Sequence, residues 1–429
     1  MPSQAIPGPD DVLRVALSNG ITVLARANFH SPSVVVSGFL QVGALYDRDD
    51  RLGLANFTAS MLLRGTERHT FDALFDLLES NGARLGFRGH THTTGFSGKA
   101  LAEDLPLLLD LLAEVLQTPT FPAEEVEKQR AQWLTSLALR AQDTAEMAEL
   151  AFDQLVYREH PYARPDDGYP ETIQAITRED LQAFHRRHFG PRGMVVAVVG
   201  AVEPQGAVEA VAAALGEWRN PEQPTPPPLP PLQPLERLTR AAVPIPGKSQ
   251  CDVVVGAAGP ARTAEDYLPA MVGNTILGRF GLMGRIGDAV REQAGLAYYA
   301  YSELHGGYGP GPWEVNAGVA PANVERAVAL ILAEIRRFVS EPVTAEELAD
   351  AQAGIVGNLP LSFESNAGVA GALLTIERYG LGLDYYRRFA DQVRAVTPEA
   401  ILEAARRYLD PERLAVAVAG EVEGASDDH

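Results

Sequence analysis

The chain has 429 residues, with 56 Asp and Glu against 36 Lys and Arg and a formal net charge of −20. That length accommodates more than one hydrophobic core, and the acidic excess disfavours nucleic acid and anionic membranes as partners. A single cysteine, Cys251, excludes an internal disulfide and a Cys-rich zinc site, and no apolar run reaches the roughly 18 residues that a membrane span needs.

The N-terminal stretch Met1–Asp11 has neither the basic start nor the apolar run of a secretory signal, so a cytoplasmic location is expected. Leu13, Val15 and Leu17 alternate before Asn19-Gly20, and Ile21 and Val23 alternate after it, which predicts a hairpin. Ser33–Gly43 reads as a β-strand. Leu52–Thr66 reads as a buried helix, with Leu54, Phe57 and Met61 at helical spacing and Gly65 as its stop. Thr70–Asn81 is a second helix, and Ala83–Lys99 alternates over a length suited to two strands. Leu101–Leu116, Ala123–Ala141 and Thr177–Phe189 are helical, the last with Thr177 as N-cap. Met194–Gly200 is a buried strand.

Pro221–Pro234 then places eight prolines in 14 residues. Such a run forms neither helix nor central strand and serves as a semi-rigid connector. Beyond it the pattern repeats. Ala345-Glu-Glu347 matches Ala123-Glu-Glu125 at an offset of 222, while Thr397–Tyr408 matches Thr177–His188 and Leu414–Gly420 matches Met194–Gly200, both at 220. Cys251–Ala258 echoes the Ser33 strand, and Tyr267–Leu277 echoes the Leu52 helix. A near-constant offset across ordered matches indicates a tandem duplication of one α+β unit. The expected domains are 1–218 and 239–429, joined by a Pro-rich linker at 219–238. Each would be a mostly antiparallel sheet covered by helices.

Asn56, Ala59 and Ser60 fall at i, i+3 and i+4 and so share one helix face. A His-x-x-Glu-His helix would carry two metal ligands and a general base on such a face. Here it carries an amide, a methyl and a hydroxyl.

The frame around these residues, Gly53-Leu-Ala-Asn-Phe-Thr-Ala-Ser-Met-Leu-Leu-Arg-Gly-Thr66, resembles the G-L-A-H-F-L-E-H-M-L-F-x-G-T stretch of the peptidase M16 family, which includes pitrilysin, insulinase and the mitochondrial processing peptidase subunits. The resemblance extends over about residues 12 to 421. It implies two M16 domains of the LuxS/MPP-like metallohydrolase type. It also implies that the family's zinc histidines fall on Asn56 and Ser60, its general-base glutamate on Ala59 and its third ligand on Ser136. In the second half, Val290-Arg-Glu-Gln-Ala-Gly-Leu-Ala-Tyr298 is similar to the family pattern V-R-E-x-x-G-L-A-Y. By that resemblance Arg291 and Tyr298 are the pair that binds the substrate backbone and stabilises the oxyanion. Gly278, Gly281 and Gly284 match the family's Gly-rich segment. They are read either as a loop that lets a peptide approach or as turn chemistry alone.

The expectation is therefore a non-catalytic, substrate-binding subunit of a heterodimeric M16B-type zinc metallopeptidase. It would be inactive alone and bind no metal itself, with zinc on an HxxEH-bearing M16 partner and a peptide as substrate. The alternative is a purely structural or binding pseudoenzyme, like the core subunits of a respiratory complex. The remaining histidine patterns carry less. His90-Thr-His92 is read as polar residues on a strand, His185-Arg-Arg-His188 as a solvated helix face and His160 as structural.

Overall fold

The computed structural model describes residues 6–279, 281 and 284–422; Phe280, Leu282 and Met283 of the Gly-rich segment and the two chain ends lie outside the described residues. The chain forms two compact units built from interleaved segments. The first comprises Met1–Thr135, Pro165–Pro228 and Leu359–Phe389; the second comprises Ser136–Arg164, Leu229–Asn358 and Ala390–His429.

The first unit holds a six-stranded sheet of β1 (Leu13–Ala16), β2 (Thr22–Ala27), β3 (Ser33–Leu40), β4 (Arg84–Gly89), β5 (Thr94–Leu101) and β6 (Val195–Gly200), in the order β1-β2-β6-β3-β5-β4. Only β2 and β6 pair in parallel. The turn at Asn19-Gly20 closes the predicted hairpin, with Gly20 at φ 92°. The central strands are Val-rich and buried, while β4 forms an edge. His90 and His92 lie in the β4–β5 turn, where the His90 amide donates to Thr93 O, rather than on a strand.

The helices, in chain order, are α1 (Leu54–Met61), α2 (Phe71–Ser80), α3 (Leu105–Gln117), α4 (Ala123–Arg140), α5 (Thr144–Tyr157), α6 (Pro170–Ala175), α7 (Arg178–His188) and α8 (Pro204–Leu215). The predicted Leu101 helix starts later because Leu101 ends β5 and a short turn at Ala102–Asp104 intervenes before Pro106 opens α3. The leucines of α3 and the valines and alanines of α8 pack with the sheet into one apolar core.

The second unit repeats this plan. Strands β7 (Thr239–Pro244), β8 (Cys251–Ala258), β9 (Ala297–Leu304), β10 (Pro312–Val319) and β11 (Ala415–Gly420) run in the order β7-β11-β8-β10-β9, which is the first sheet without β1. Again a single parallel pair, β7 with β11, stands beside antiparallel neighbours. Helices α9 (Tyr267–Gly278), α10 (Gly284–Gly287), α11 (Val324–Ser340), α12 (Ala345–Asn358), α13 (Asn366–Tyr379), α14 (Tyr385–Arg394) and α15 (Pro398–Tyr408) complete the chain. The duplication read from near-constant offsets is thus present as a repeated strand order.

Chain order and unit membership part company at two equivalent helices. Helix α5 belongs to the second unit. Its Ala148, Ala151, Phe152 and Val156 form an apolar stripe against Val254 of β8 and Ala415, Ala417 and Ala419 of β11. Alternate alanines on β11 keep that sheet face low, so a helix can lie close. Helix α13 belongs to the first unit and packs on β3 and β6. There Asn366 Nδ2 donates to Ser33 O at 3.2 Å, the Arg378 guanidinium lies 4.5 Å from the Phe39 ring, and Glu377 accepts a bidentate pair from Arg14. No helix among the described residues is long and apolar enough to cross a membrane.

Candidate functional site

Helix α1 starts abruptly. Gly53 takes the left-handed conformation at φ 92°, and the buried Asp47 carboxylate accepts from the Gly53 and Ala55 amides at 2.9 Å each. An acceptor placed there satisfies otherwise orphan donors and matches the positive end of the helix dipole. Beyond the helix, Glu114 of α3 anchors the Gly65-Thr66 turn. Burial pushes its carboxyl up, but bonds from Thr66, Arg68 and His69 outweigh that and hold it below the ordinary glutamate value.

The face carrying Asn56, Ala59 and Ser60 is closed by its own contacts. Asn56 is buried, and its Nδ2 donates to Asp167 Oδ1 at 3.1 Å. Its Oδ1 has no hydrogen-bond partner among the described residues and lies where a Cβ on Gly89 of β4 would fall. Gly89 therefore lets the edge strand approach α1. Ala59 is 1% exposed, and Ser60 Oγ donates back to Phe57 O at 2.8 Å. Helix α4 braces the same segment through Trp133, whose ring centroid is 5.6 Å from that of Phe57 and whose indole donates to Asp167 O at 3.1 Å. Ser136 lies exposed further along α4. A catalytic zinc needs three anionic or imidazole ligands and a base near an open position. An amide already bonded to Asp167, a buried methyl and a hydroxyl committed to its own helix do not fit one.

In the second unit the Gly-rich segment is set by close packing and by backbone conformation. A Cβ on Gly278 would fall 2.1 Å from Ser302 N of β9, so glycine is required for α9 to meet the sheet. Gly281 and Gly284 have φ of 57° and 64°, and a Cβ on Gly284 would meet Ile276 O at 2.5 Å. Helix α10 runs on into a π-helical turn, Asp288–Gln293, that carries Arg291. Such turns insert one residue and swing the following side chains, and they recur at functional sites. Gly295, at φ 65°, ends the turn, with Leu296 N bonded to Val290 O. Arg285 fixes the segment by a bidentate pair to Glu347 of α12, at 2.6 and 2.7 Å. Arg285 holds the Glu347 carboxyl down to about 2, with burial opposing and Thr344 assisting.

Strand β9 is an edge. Its pairing with β10 shifts between Gly318 opposite Tyr299 and Val319 opposite Ala297, which leaves Tyr298 as the extra residue of a β-bulge. Tyr298 is 84% exposed, whereas its neighbours in sequence are partly covered. Tyr299 donates its hydroxyl to Asp252, and burial, then Asp252, raises its pKa. Arg291 is part-exposed, with its Nε 3.6 Å from Glu292, a loose pair that leaves the guanidinium available.

Comparison with known proteins gives this arrangement its relatives. Residues 22–165 match the family model described as Insulinase (Peptidase family M16), and residues 175–355 match that of the Peptidase M16 inactive domain. The chain belongs to peptidase family M16. It is 29% identical over 419 residues to an uncharacterised zinc protease of Mycobacterium bovis, covering 95% of this chain and 92% of that protein. It is 28% identical over 195 residues to a probable mitochondrial-processing peptidase subunit beta of Arabidopsis thaliana, covering 46% of this chain and 37% of the other. A crystal structure of a peptidase M16 inactive domain from Pseudomonas fluorescens superposes with a TM-score of 0.87 at 26% identity, covering 97% of this chain and 99% of that one.

Within this M16 chain the residues singled out from sequence fall in two groups. Asn56, Ala59 and Ser60 share the closed α1 face of the first unit. Arg291, Tyr298 and the three glycines belong to the α9–β9 segment of the second. Asp47 and Asp167, which accept from the α1 N-terminal amides and from Asn56 Nδ2, come from loops with no periodic signal in the sequence. The His185-Arg-Arg-His188 face, expected to be solvated, is so only in part. His185 is buried, and its Nε2 lies 2.9 Å from Leu116 O. Arg186 and Arg187 take the solvent-facing side of α7 between the two histidines.

Proposed function

We propose that this chain is the non-catalytic, substrate-binding subunit of a heterodimeric M16 peptidase. Its partner would be an M16 chain that bears the His-x-x-Glu-His motif, and the substrate would be a peptide. The observation that supports this most is the contrast between the two sites. The α1 face has lost every zinc ligand and the base, yet an arginine and a tyrosine stand available on a π-helical turn and a β-bulge. A scaffold kept only for packing has no need to hold a tyrosine 84% exposed at a bulge. The partial likeness to a processing-peptidase subunit points the same way.

In this reading the partner's zinc supplies Lewis-acid and water-activating chemistry. This chain supplies donors. The Arg291 guanidinium offers a planar fork to a substrate carbonyl, and the Tyr298 hydroxyl donates to the oxygen on which charge develops. The unpaired edge of β9 offers backbone groups to an extended peptide.

The test is reconstitution with an HxxEH-bearing M16 chain and a peptide substrate. The pair should cleave, and the present chain alone should not. Y298F removes only a hydroxyl from an exposed ring, so stability should be unchanged while the rate falls by about a hundredfold. R291A should raise KM as well. Zinc-dependent cleavage by this chain alone, or full activity of the pair with R291A/Y298F, would overturn the reading.

A further inference from the structure

Glu303 of β9 and Glu314 of β10 stand directly opposite each other in the strand register. Like charges in that position repel and destabilise the pair. His305, two residues along from Glu303, brings its Nε2 to 3.4 Å from Glu303 Oε2 and 3.6 Å from Glu314 Oε1. The three ligand atoms all lie within 4.8 Å of one another. Both His–carboxylate separations are longer than the ~2.7–3.2 Å of an ordinary N–H···O bond. The 3.4 Å separation falls within, and the 3.6 Å separation just beyond, the ~3.3–3.5 Å between two ligands of a tetrahedral ion bound at about 2.0–2.1 Å.

We propose that Glu303, His305 and Glu314 bind a divalent transition ion of the zinc class, at a site separate from the α1 face. One imidazole nitrogen and two carboxylate oxygens are borderline ligands of the kind zinc accepts. They are too few and too nitrogenous for calcium or magnesium, which take about six oxygens. The site has a floor and an entrance. The Glu314 side chain is 6% exposed and that of His305 52%.

Both carboxylates have a neighbour within the protein: Arg279 pairs with Glu303, and Asn316 Nδ2 donates to Glu314 Oε1 at 3.3 Å. A bound ion would tie the C-terminal end of β9 to β10. It would thereby stiffen the edge strand whose other end carries Tyr298.

The experiment uses the full chain, dialysed free of metal and titrated with Zn²⁺ by calorimetry, with bound metal counted by mass spectrometry. One ion per chain is expected. Loss of an outer-sphere partner already weakens metal sites by roughly 10–100-fold, so H305A and E303Q should each weaken binding at least tenfold. His305 is half-exposed, so H305A should fold normally, and near-UV circular dichroism checks this. H90A/H92A serves as a control and should bind like the wild type. Co²⁺ should give the visible absorption of a low-coordinate nitrogen–oxygen site in the wild type and not in H305A. No stoichiometric uptake, or equal affinity in the wild type and the H305A/E303Q variant, would overturn the proposal. Because the readout needs no partner and no cleavage, its failure leaves the peptidase reading untouched.

Discussion

His185 lies within a shell of aromatic rings. Its ring centroid is 5.0 Å from that of Phe189 and 5.7 Å from that of Phe121, and its Nε2 reaches the last turn of α3. Burial lowers its pKa to about 4, with the Leu116 carbonyl opposing and Arg186 assisting. His188 is lowered to about 4 as well, by burial and then Arg187. The sign follows from where the proton binds. Between pH 6.5 and 4 the unfolded chain takes up a proton that the folded imidazole refuses. The contribution is therefore fully present above the ordinary histidine value and is lost as pH falls towards 4. At about 1.4 kcal/mol per pH unit, His185 alone costs on the order of 3 kcal/mol by pH 4. H185Q keeps a donor for Leu116 O and does not titrate. Its urea midpoint should fall less than that of the wild type between pH 7 and 4.5; parallel curves would refute the assignment. The sequence conceals this residue because the arginines at 186 and 187 mark an exposed face, and only the three-dimensional path of α7 separates them from His185. Asn56, Ala59 and Ser60 were legible because a helix period alone places them on one face.

At the scale of elements, strand and helix identities follow from periodicity, whereas irregularities do not. The alternation through Leu296–Ser302 places Tyr298 opposite Tyr299 and Tyr301, and the latter two are indeed part-buried with ring centroids 5.6 Å apart. The bulge that swings Tyr298 outward depends on the pairing with β10 and has no signature within β9 itself. The same holds for a polar junction between α9 and strands β9 and β10. Trp313 Nε1 of β10 donates to Asn274 Oδ1 of α9 at 3.0 Å, Ser302 Oγ of β9 donates to the same oxygen, and Asn274 Nδ2 reaches Ser302 O at 3.4 Å. All three residues are buried, Trp313 and Ser302 fully. One amide thus joins a helix to two strands. N274A would leave the indole N–H and the serine hydroxyl without an acceptor and open a small void, costing about 2–4 kcal/mol. S302A removes one donor and leaves the Trp313 bond intact, so about 1 kcal/mol is expected. Urea unfolding of the two variants checks the ranking. A loss for N274A no larger than for S302A would mean that the junction is not the anchor described.

For the whole molecule, the Pro-rich segment reads from sequence as the divide between two domains; Pro228/Leu229 within it is one of several points at which the chain passes between the two interleaved units. Its two ends are tied down separately. Gln223 exchanges hydrogen bonds with the Arg192 backbone, and Arg158 donates to Gln233 O and Pro234 O. Periodicity could not reveal that α5 and α13, equivalent members of the duplication, each complete the sheet encoded by the other half. An amphipathic stripe says that a helix will bury one face and does not say which sheet will receive it. This exchange makes each unit depend on both halves of the chain. Expressed alone, residues 1–228 would carry α5 without Val254 of β8 and the β11 alanines that pack with Phe152, and would leave β3 and β6 without α13. Residues 229–429 would have the reciprocal defects. Each fragment should therefore be insoluble or bind a hydrophobic dye and lack cooperative unfolding, because a sheet that loses a covering helix exposes its apolar face. Co-expressed, the fragments should associate and regain one cooperative transition. Nicking the intact protein within Pro221–Pro228 should likewise leave the pieces bound together in gel filtration. If either fragment alone unfolds cooperatively with native near-UV dichroism, the exchanged helices are accessories rather than parts of the core.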